Sequence, residues 1–595
     1  MPDDTKPAGS AAPLPVWDLA DLYPGAKSPA LTADLERAAG DARSFRERYE
    51  SKLAGLSGAE LAAAVRLYEA IGERLGRLQS YAQLAYAADM TDPELGRFHQ
   101  TIMERSTDIA SDLLFFTLEI NRIEDDALAA KLKAPDLAHY RPWLDRIRAF
   151  RPHQLSDEVE QTLHQKQITG GAAWQRLFDE TTAEMRFPVD GKPLGIEGAL
   201  TLLTDRDGRL RREAAKAIAG GFRERIKTFA LISNTLAKDK EIEDRWRHFP
   251  RPVSARNLAN HVEDEVVDAL VAAVKAHYAP LSHRYYRLKA KWFGRSELDY
   301  WDRNAPLPDD TDREFDWPAA RGMVLGAYGA FSPKLAELGR RFFDRPWIDA
   351  APREGKAPGA FAHPTVPSAH PYLLMSYRGR ARDVMTLAHE LGHGVHQLLA
   401  APQGALMAET PLTLAETASV FGEMLTFRAL LDAERDPQRR RILIAGKVED
   451  MLNTVVRQIA MHEFERRFHD ARRESEQTAE EIGRIWLETQ AEALGAAIRL
   501  DADYSVFWAY IPHFIHSAFY VYAYAFGDCL VNSLYAVYRE RPADFPDRYF
   551  ALLAAGGSKN HRELLAPFGL DAGDPAFWSK GLGVIGGLID ELEAL

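Results

Sequence analysis

A chain of 595 residues is too long for one hydrophobic core, and at about 100–200 residues per domain it is expected to form two to four units. Its 74 basic against 87 acidic side chains give a net charge of −13, which argues against a nucleic-acid or anionic-membrane surface. The single cysteine, Cys529, excludes an internal disulfide framework, and no apolar run reaches the roughly 18 residues of a membrane span. With a polar, proline-rich opening that lacks signal-peptide features, the expectation is a soluble cytoplasmic protein.

Residues 1–15 read as a disordered tail, 16–200 as an N-terminal helical domain and 201–595 as the domain that carries the chemistry. Over 59–89, Leu61, Val65, Tyr68, Ile71, Leu75 and Leu78 recur at spacings of three and four, the apolar stripe of a long amphipathic helix. Similar stripes run over 101–123 and 197–246, the second with breaks expected at Gly208 and at Gly220–Gly221. Asp190-Gly191 inside 187–193 predicts a tight hairpin. The stretch 303–318 is a loop rich in proline and aspartate. A second irregular region, 346–371, holds six prolines and two glycines, with His363 and His370 as candidates to meet a ligand. "YLLMSY" (372–377) predicts a strand, and the remainder alternates helical stripes with turns. The fold class expected is mainly α with a small β element.

Just after that strand stands "LAHELGHGVHQ" (387–397). On a helix, residues four apart share a face, so His389 and His393 can aim two imidazole nitrogens at one point. Zinc accepts such nitrogens at about 2.0–2.1 Å. Glu390, rotated by roughly 100°, stays off the metal but near a water beside it. The same three residues could also form an ordinary solvated helix face. A catalytic site needs a third ligand. The metzincin extension fails because positions 396 and 399 are His and Leu, and the inverted H-x-x-E-H motif is absent. A glutamate on a following helix is left. "TPLTLAETASVFGEMLTFRALL" (410–431) offers Glu416, 23 residues after His393, with Thr410 as N-cap and Pro411 at the first helical position. Glu409 is the competing third ligand. Glu423, seven residues after Glu416, could orient a ligand histidine.

"HELGHGVH" followed by "AETASVFGE" resembles the thimet oligopeptidase and oligoendopeptidase F group of zinc peptidases. That group carries H-E-x-G-H, then E-x-x-S, then a further glutamate seven residues after the first. The positions here are His389, Glu390, Gly392, His393, Glu416, Ser419 and Glu423. "WDLADLYP" (17–24), "TGGAAWQRLFDE" (169–180) and "HPYLLMSYRGRARDVMTLAHELGH" (370–393) are also similar to oligoendopeptidase F. The resemblance implies a large helical bowl or clam-shell with a deep central channel and a small β-sheet beside the motif helix. It implies one Zn2+ per chain on His389, His393 and Glu416, and short unstructured peptides as substrates, with no nucleic-acid or membrane partner.

The stretch "WAYIPHFIHSAFYVYAYAFGDCL" (508–530), read as one helix after Pro512, puts His513, Tyr520 and Tyr524 on one face. The family lines its channel with a histidine and several tyrosines from a late helix. By that resemblance His513 and Tyr520 serve the oxyanion and Tyr524 binds substrate, although Ala518 departs from the thimet form of the pattern. Substrate backbone is expected to pair with the edge of the strand that begins at Tyr372. Glu390 is the expected general base of an endopeptidase. The rival readings are an inactive helical peptide-binding scaffold and an exopeptidase with the same zinc site.

Overall fold

Ser57 and Glu60 start a 31-residue helix of the computed structural model, which describes residues 13–308 and 314–595. The Glu60 N–H donates to the Ser57 hydroxyl at 3.3 Å, and the Ser57 N–H donates to the Glu60 carboxylate at 2.8 Å. This reciprocal cap satisfies two donors that a helix N-terminus leaves open. The helix, α1 (Gly58–Ala88), buries Leu61, Val65, Ile71, Leu75 and Leu78 as its sequence predicts, with Tyr68 half-buried. The stripe over 101–123 is divided between two helices, Pro93–Ser111 and Leu114–Arg122. The expected tail lies outside the described residues except for Pro13, Leu14 and Pro15, and the loop over 303–318 is described only on either side of 309–313.

The chain divides into two units. The first takes residues 1–148, 312–433 and 541–560; the second takes 149–311, 434–540 and 561–595. Each is assembled from stretches distant in sequence, so neither follows the expected boundary at residue 200. The reason is local packing: the helix after Gly208 lies against the hairpin and the helix that precede residue 200.

In the second unit, β1 (Phe187–Val189) and β2 (Lys192–Leu194) form the expected hairpin. Asp190 and Gly191 take φ of 51° and 74°, the left-handed pair that a two-residue turn requires. Next comes α2 (Gly208–Trp246), capped by Asp207, whose carboxylate accepts the Arg209 N–H at 2.8 Å. Gly208 does mark a helix start, but Gly220 and Gly221 do not break the helix. A Cβ at Gly221 would lie 2.7 Å from the Phe187 ring, so that glycine makes room for β1.

The first unit holds a three-stranded sheet of β3 (Ile348–Asp349), β4 (Phe361–His363) and β5 (Tyr372–Leu374). The expected strand is present, shorter than predicted and in the centre. It runs parallel to β3 and antiparallel to β4, with Leu373 opposite both Ile348 and Ala362. All three β5 side chains are buried, as suits a middle strand. The two flanking strands lie inside the proline-rich region that reads as irregular; at two and three residues they are too short to show a period. Asp349 anchors the sheet, its buried carboxylate 2.7 Å from both Arg353 and Lys356.

The helix after the sheet, α3 (Ala381–Ala400), starts where the Asp383 carboxylate accepts the Arg378 and Arg380 N–H groups at 2.8 and 3.0 Å. Val384, Leu387, Ala388, Leu391 and Val395 bury one face completely. The single helix expected over 410–431 is two pieces, α4 (Leu412–Ala415) and α5 (Ser419–Ala433). The Tyr549 hydroxyl donates to the Thr417 carbonyl at 2.8 Å and takes it at the break. Thr410 is not the cap; its hydroxyl lies 3.3 Å from His396 Nε2.

Back in the second unit, α6 (Val456–Glu474) is followed by α7 (His513–His516) and α8 (Tyr522–Glu540). The continuous helix expected after Pro512 is interrupted between α7 and α8, where Phe519 takes φ of 59°. The protein is predominantly helical with small sheets. Among the described residues no helix is long and apolar enough to cross a membrane.

Candidate metal centre

Gly392 sets how closely two helices meet. A Cβ there would lie 2.6 Å from Ser419 Cα and would strike the Ala418 carbonyl oxygen. Without one, α3 and the break between α4 and α5 approach closely enough for Glu416 to reach the histidines. Glu416 Oε2 stands 3.3 Å from His389 Nε2 and 3.5 Å from His393 Nε2. Among the described residues, His389, His393 and Glu416 form the one group of three that could hold a metal ion, their donor atoms all within 4.8 Å of one another. Donors about 2.0–2.1 Å from one centre in a tetrahedron lie about 3.3 Å apart, so the spacing fits a tetrahedral ion such as zinc. Two imidazoles and a carboxylate, with a position to spare, are also the donor set of a catalytic site.

The electrostatics favour a cation at this point. Burial alone would lower the His389 pKa, but hydrogen bonds to Glu416 and Glu423 outweigh it and lift the value to about 10. Burial would raise the Glu416 carboxyl, yet its hydrogen bonds to His389 and His393 hold it well below the usual range. Glu423 lies 3.1 Å from His389 Nδ1, on the side of the ring away from the donor set. It thereby fixes which nitrogen carries the proton and leaves Nε2 to ligate.

Glu390 is only 7% exposed and lies outside the donor set, as its place one residue after His389 requires. Burial raises its pKa, an effect partly offset by the two histidines and by a hydrogen bond from the Ala362 N–H. Glu409 is exposed and outside the cluster. His363 and His370 are packed in place. His363 Nε2 lies 3.0 Å from the Ser80 hydroxyl, and His370 stacks on Trp347 with its Nε2 2.9 Å from Asp21. Tyr372 is fully buried and donates its hydroxyl to the Asp18 carbonyl at 2.9 Å, so its side chain belongs to the core. β5, flanked on both sides, has no edge to offer a peptide; the outer strand beside α3 is β4.

His513, Tyr520 and Tyr524 do come together, within the second unit. Their ring centroids are 5.3–5.8 Å apart, and His513 Nε2 lies 3.2 Å from the Tyr524 hydroxyl. The turn at Phe519, not a continuous helix face, makes this cluster. Glu465 of α6 accepts the Phe519 N–H at 2.7 Å and so holds the left-handed residue next to Tyr520. Burial lowers the His513 pKa, with Arg457 and His516 acting in the same direction. Glu465 and Ala362 carry no sequence signal of their role. Gln397 does, since it falls four residues after His393 on the face of both histidines, and its Nε2 donates to the Ala362 carbonyl at 3.3 Å.

Comparison with known proteins agrees over most of the chain. Residues 333–584 match the model of peptidase family M3 and residues 119–187 that of Oligopeptidase F, together more than half of the sequence. Oligopeptidase PepF of Bacillus subtilis is 27% identical over 566 residues, covering 92% of this chain and 82% of that protein. Group B oligopeptidase PepB of Streptococcus agalactiae is 26% identical and covers 88% of each chain. In fold, a peptidase structure from Chlamydophila abortus superposes with a TM-score of 0.85 at 24% identity, covering 97% of this chain and 98% of the other. Oligoendopeptidase-F from Enterococcus faecium gives 0.71 at 22% identity, covering 95% and 97%. The motif, the convergence of its three donors and these matches lead to one assignment: the chain belongs to peptidase family M3, among the metalloendopeptidases of the oligoendopeptidase F type.

Proposed function

We propose that the protein is a zinc-dependent endopeptidase that cuts internal bonds of short, unstructured peptides, with one Zn2+ per chain held by His389, His393 and Glu416. The observation that carries this reading is the convergence of those three donors, with the buried Glu390 carboxylate on the helix of the two histidines. When bound, zinc acts as a Lewis acid that polarises the scissile carbonyl and makes water acidic enough to attack near neutral pH.

The chain's own residues do the rest. Glu390 takes the proton of the attacking water and passes it to the leaving amine; its burial strengthens its hold on that proton between the two steps. Glu423 keeps the His389 ring in its ligating tautomer. The outer strand β4, in place of β5, takes the substrate backbone by strand addition. His513 and Tyr520 act as donors to the charge that develops on the carbonyl oxygen, and Tyr524 holds substrate. The family resemblance and the mutual clustering of these three rings support that part. A cytoplasmic setting belongs to the same reading, supported by the single, buried cysteine.

The test is metal analysis of the purified protein together with cleavage of an internally quenched peptide, before and after chelation and after zinc is restored. One zinc per chain, loss of turnover on chelation and recovery with zinc are expected. Product masses distinguish internal cuts from trimming of the ends. A zinc-loaded protein that cuts no peptide would instead be a binding scaffold.

A further inference from the structure

Beside His393, inside the first unit, opens a cavity of about 400 Å3. It lies between the 364–371 segment, the last turns of α3 and the 401–410 segment. At the lower end of the roughly 300–1,000 Å3 of small-ligand pockets, it has room for one long side chain. Its apolar walls include Val366 and Leu398, and no lysine or arginine lines it.

Of the polar side chains on this lining, only Glu409 carries a formal negative charge. Gln397 lines the cavity, and because its Nε2 donates to the Ala362 carbonyl, its amide orientation is set. Its Oε1 is out of solvent, so it offers no acceptor to a guest in the open cavity. Glu409 also lines the cavity, exposed. Arg146 feels the Glu409 charge, but its guanidinium donates to the Leu406 carbonyl. An acidic guest would meet Glu409 as a like charge, and an apolar one would leave that carboxylate without a partner in the cavity. A lysine or arginine meets this demand, with its aliphatic stem on the apolar walls and its N–H groups on Glu409.

We infer that this cavity is a specificity pocket for a basic side chain flanking the scissile bond, with Glu409 as the residue that selects it. The inference rests on the peptidase reading above. It is tested with quenched peptides that carry lysine, norleucine or glutamate in turn on each side of the cut. kcat/KM is measured on the wild type, and binding is measured by calorimetry on the non-cleaving Glu390→Gln protein. At one of the two positions lysine is expected to exceed norleucine by about three- to tenfold in both measurements, the range of a partly exposed ion pair, and the preference should weaken with salt. In Glu409→Gln the ratio should fall toward one, and in Glu409→Lys the glutamate peptide should overtake the lysine peptide. Glu409 is exposed, so neither substitution disturbs a packed core. Peptides that are cut and bound with the same lysine-to-norleucine ratio in all three proteins would overturn the inference and leave the peptidase intact. If the wild type cuts none of them, both readings fall.

Discussion

The Nδ1 of His389 stands 3.1 Å from the Glu423 carboxylate, while its Nε2 stands 3.3 Å from Glu416. One imidazole is thus held on both edges, by a residue that orients it and by a fellow member of the donor cluster. Removal of such an orienting carboxylate typically weakens metal binding by about 10–100-fold. Glu423→Ala should show a loss of that size in competition with a chromogenic chelator. Unchanged affinity would mean that Glu423 only packs.

Gly392→Ala should damage the site without touching a ligand. The new methyl would sit 2.6 Å from Ser419 Cα, pushing α3 away from the segment that carries Glu416. Overpacking of this kind costs about 1–3 kcal/mol. Both urea stability and metal content are expected to fall. The control is Gly446→Ala, on the helix Pro437–Thr454, where a Cβ meets nothing within 4 Å. That change should be neutral or stabilise by about 0.5–1 kcal/mol. Equal behaviour of the two variants would remove the close-approach explanation.

Glu465 gives a stability signature in pH. Burial raises its pKa to about 8, and its Oε2 has no partner among the described residues. A carboxyl raised above its unfolded value of 4.5 stabilises the fold fully below that value. The contribution is then lost as pH rises toward 8. Glu465→Gln keeps an acceptor for the Phe519 N–H and cannot ionise. Its stability relative to wild type should therefore climb between pH 4.5 and 8 by on the order of a few kcal/mol, then level off. Denaturation midpoints at several pH values check this; parallel curves would show that Glu465 titrates normally.

Tyr520→Phe removes one hydroxyl from the His513–Tyr520–Tyr524 cluster. If that hydroxyl meets the developing oxyanion, kcat should fall by about 10²–10³ with KM little changed. A rise in KM alone would make Tyr520 a binding residue, and no change would remove it from the reaction.

The helices were the most legible part of the sequence, because α1 and α3 are amphipathic over many turns and their stripes repeat often enough to read. The histidine pair was legible for the same reason, since a helix fixes what lies four residues away. Glu416 does join the two histidines, but not from the single helix expected of it. It sits at a break whose carbonyl is taken by Tyr549, 132 residues away in sequence, and local propensity carries no trace of that. β3 and β4 are too short for a period to emerge, so from sequence the middle strand β5 reads as an edge. The turn at Phe519 needed the side chain of Glu465 from another helix. Gly220 and Gly221 of α2 look like breakers, although Gly221 only makes room for Phe187. In each case the missing information was a tertiary contact, not a propensity.

The most direct test of the catalytic assignment is the metal content and turnover of Glu390→Gln, measured on one preparation. This change removes a base that lies beside the donor set and is not part of it. The expected result is a full complement of metal with hydrolysis reduced by about 10²–10⁴-fold, the usual contribution of a general base. A fully metal-loaded Glu390→Gln that cleaves peptides at the wild-type rate would contradict it.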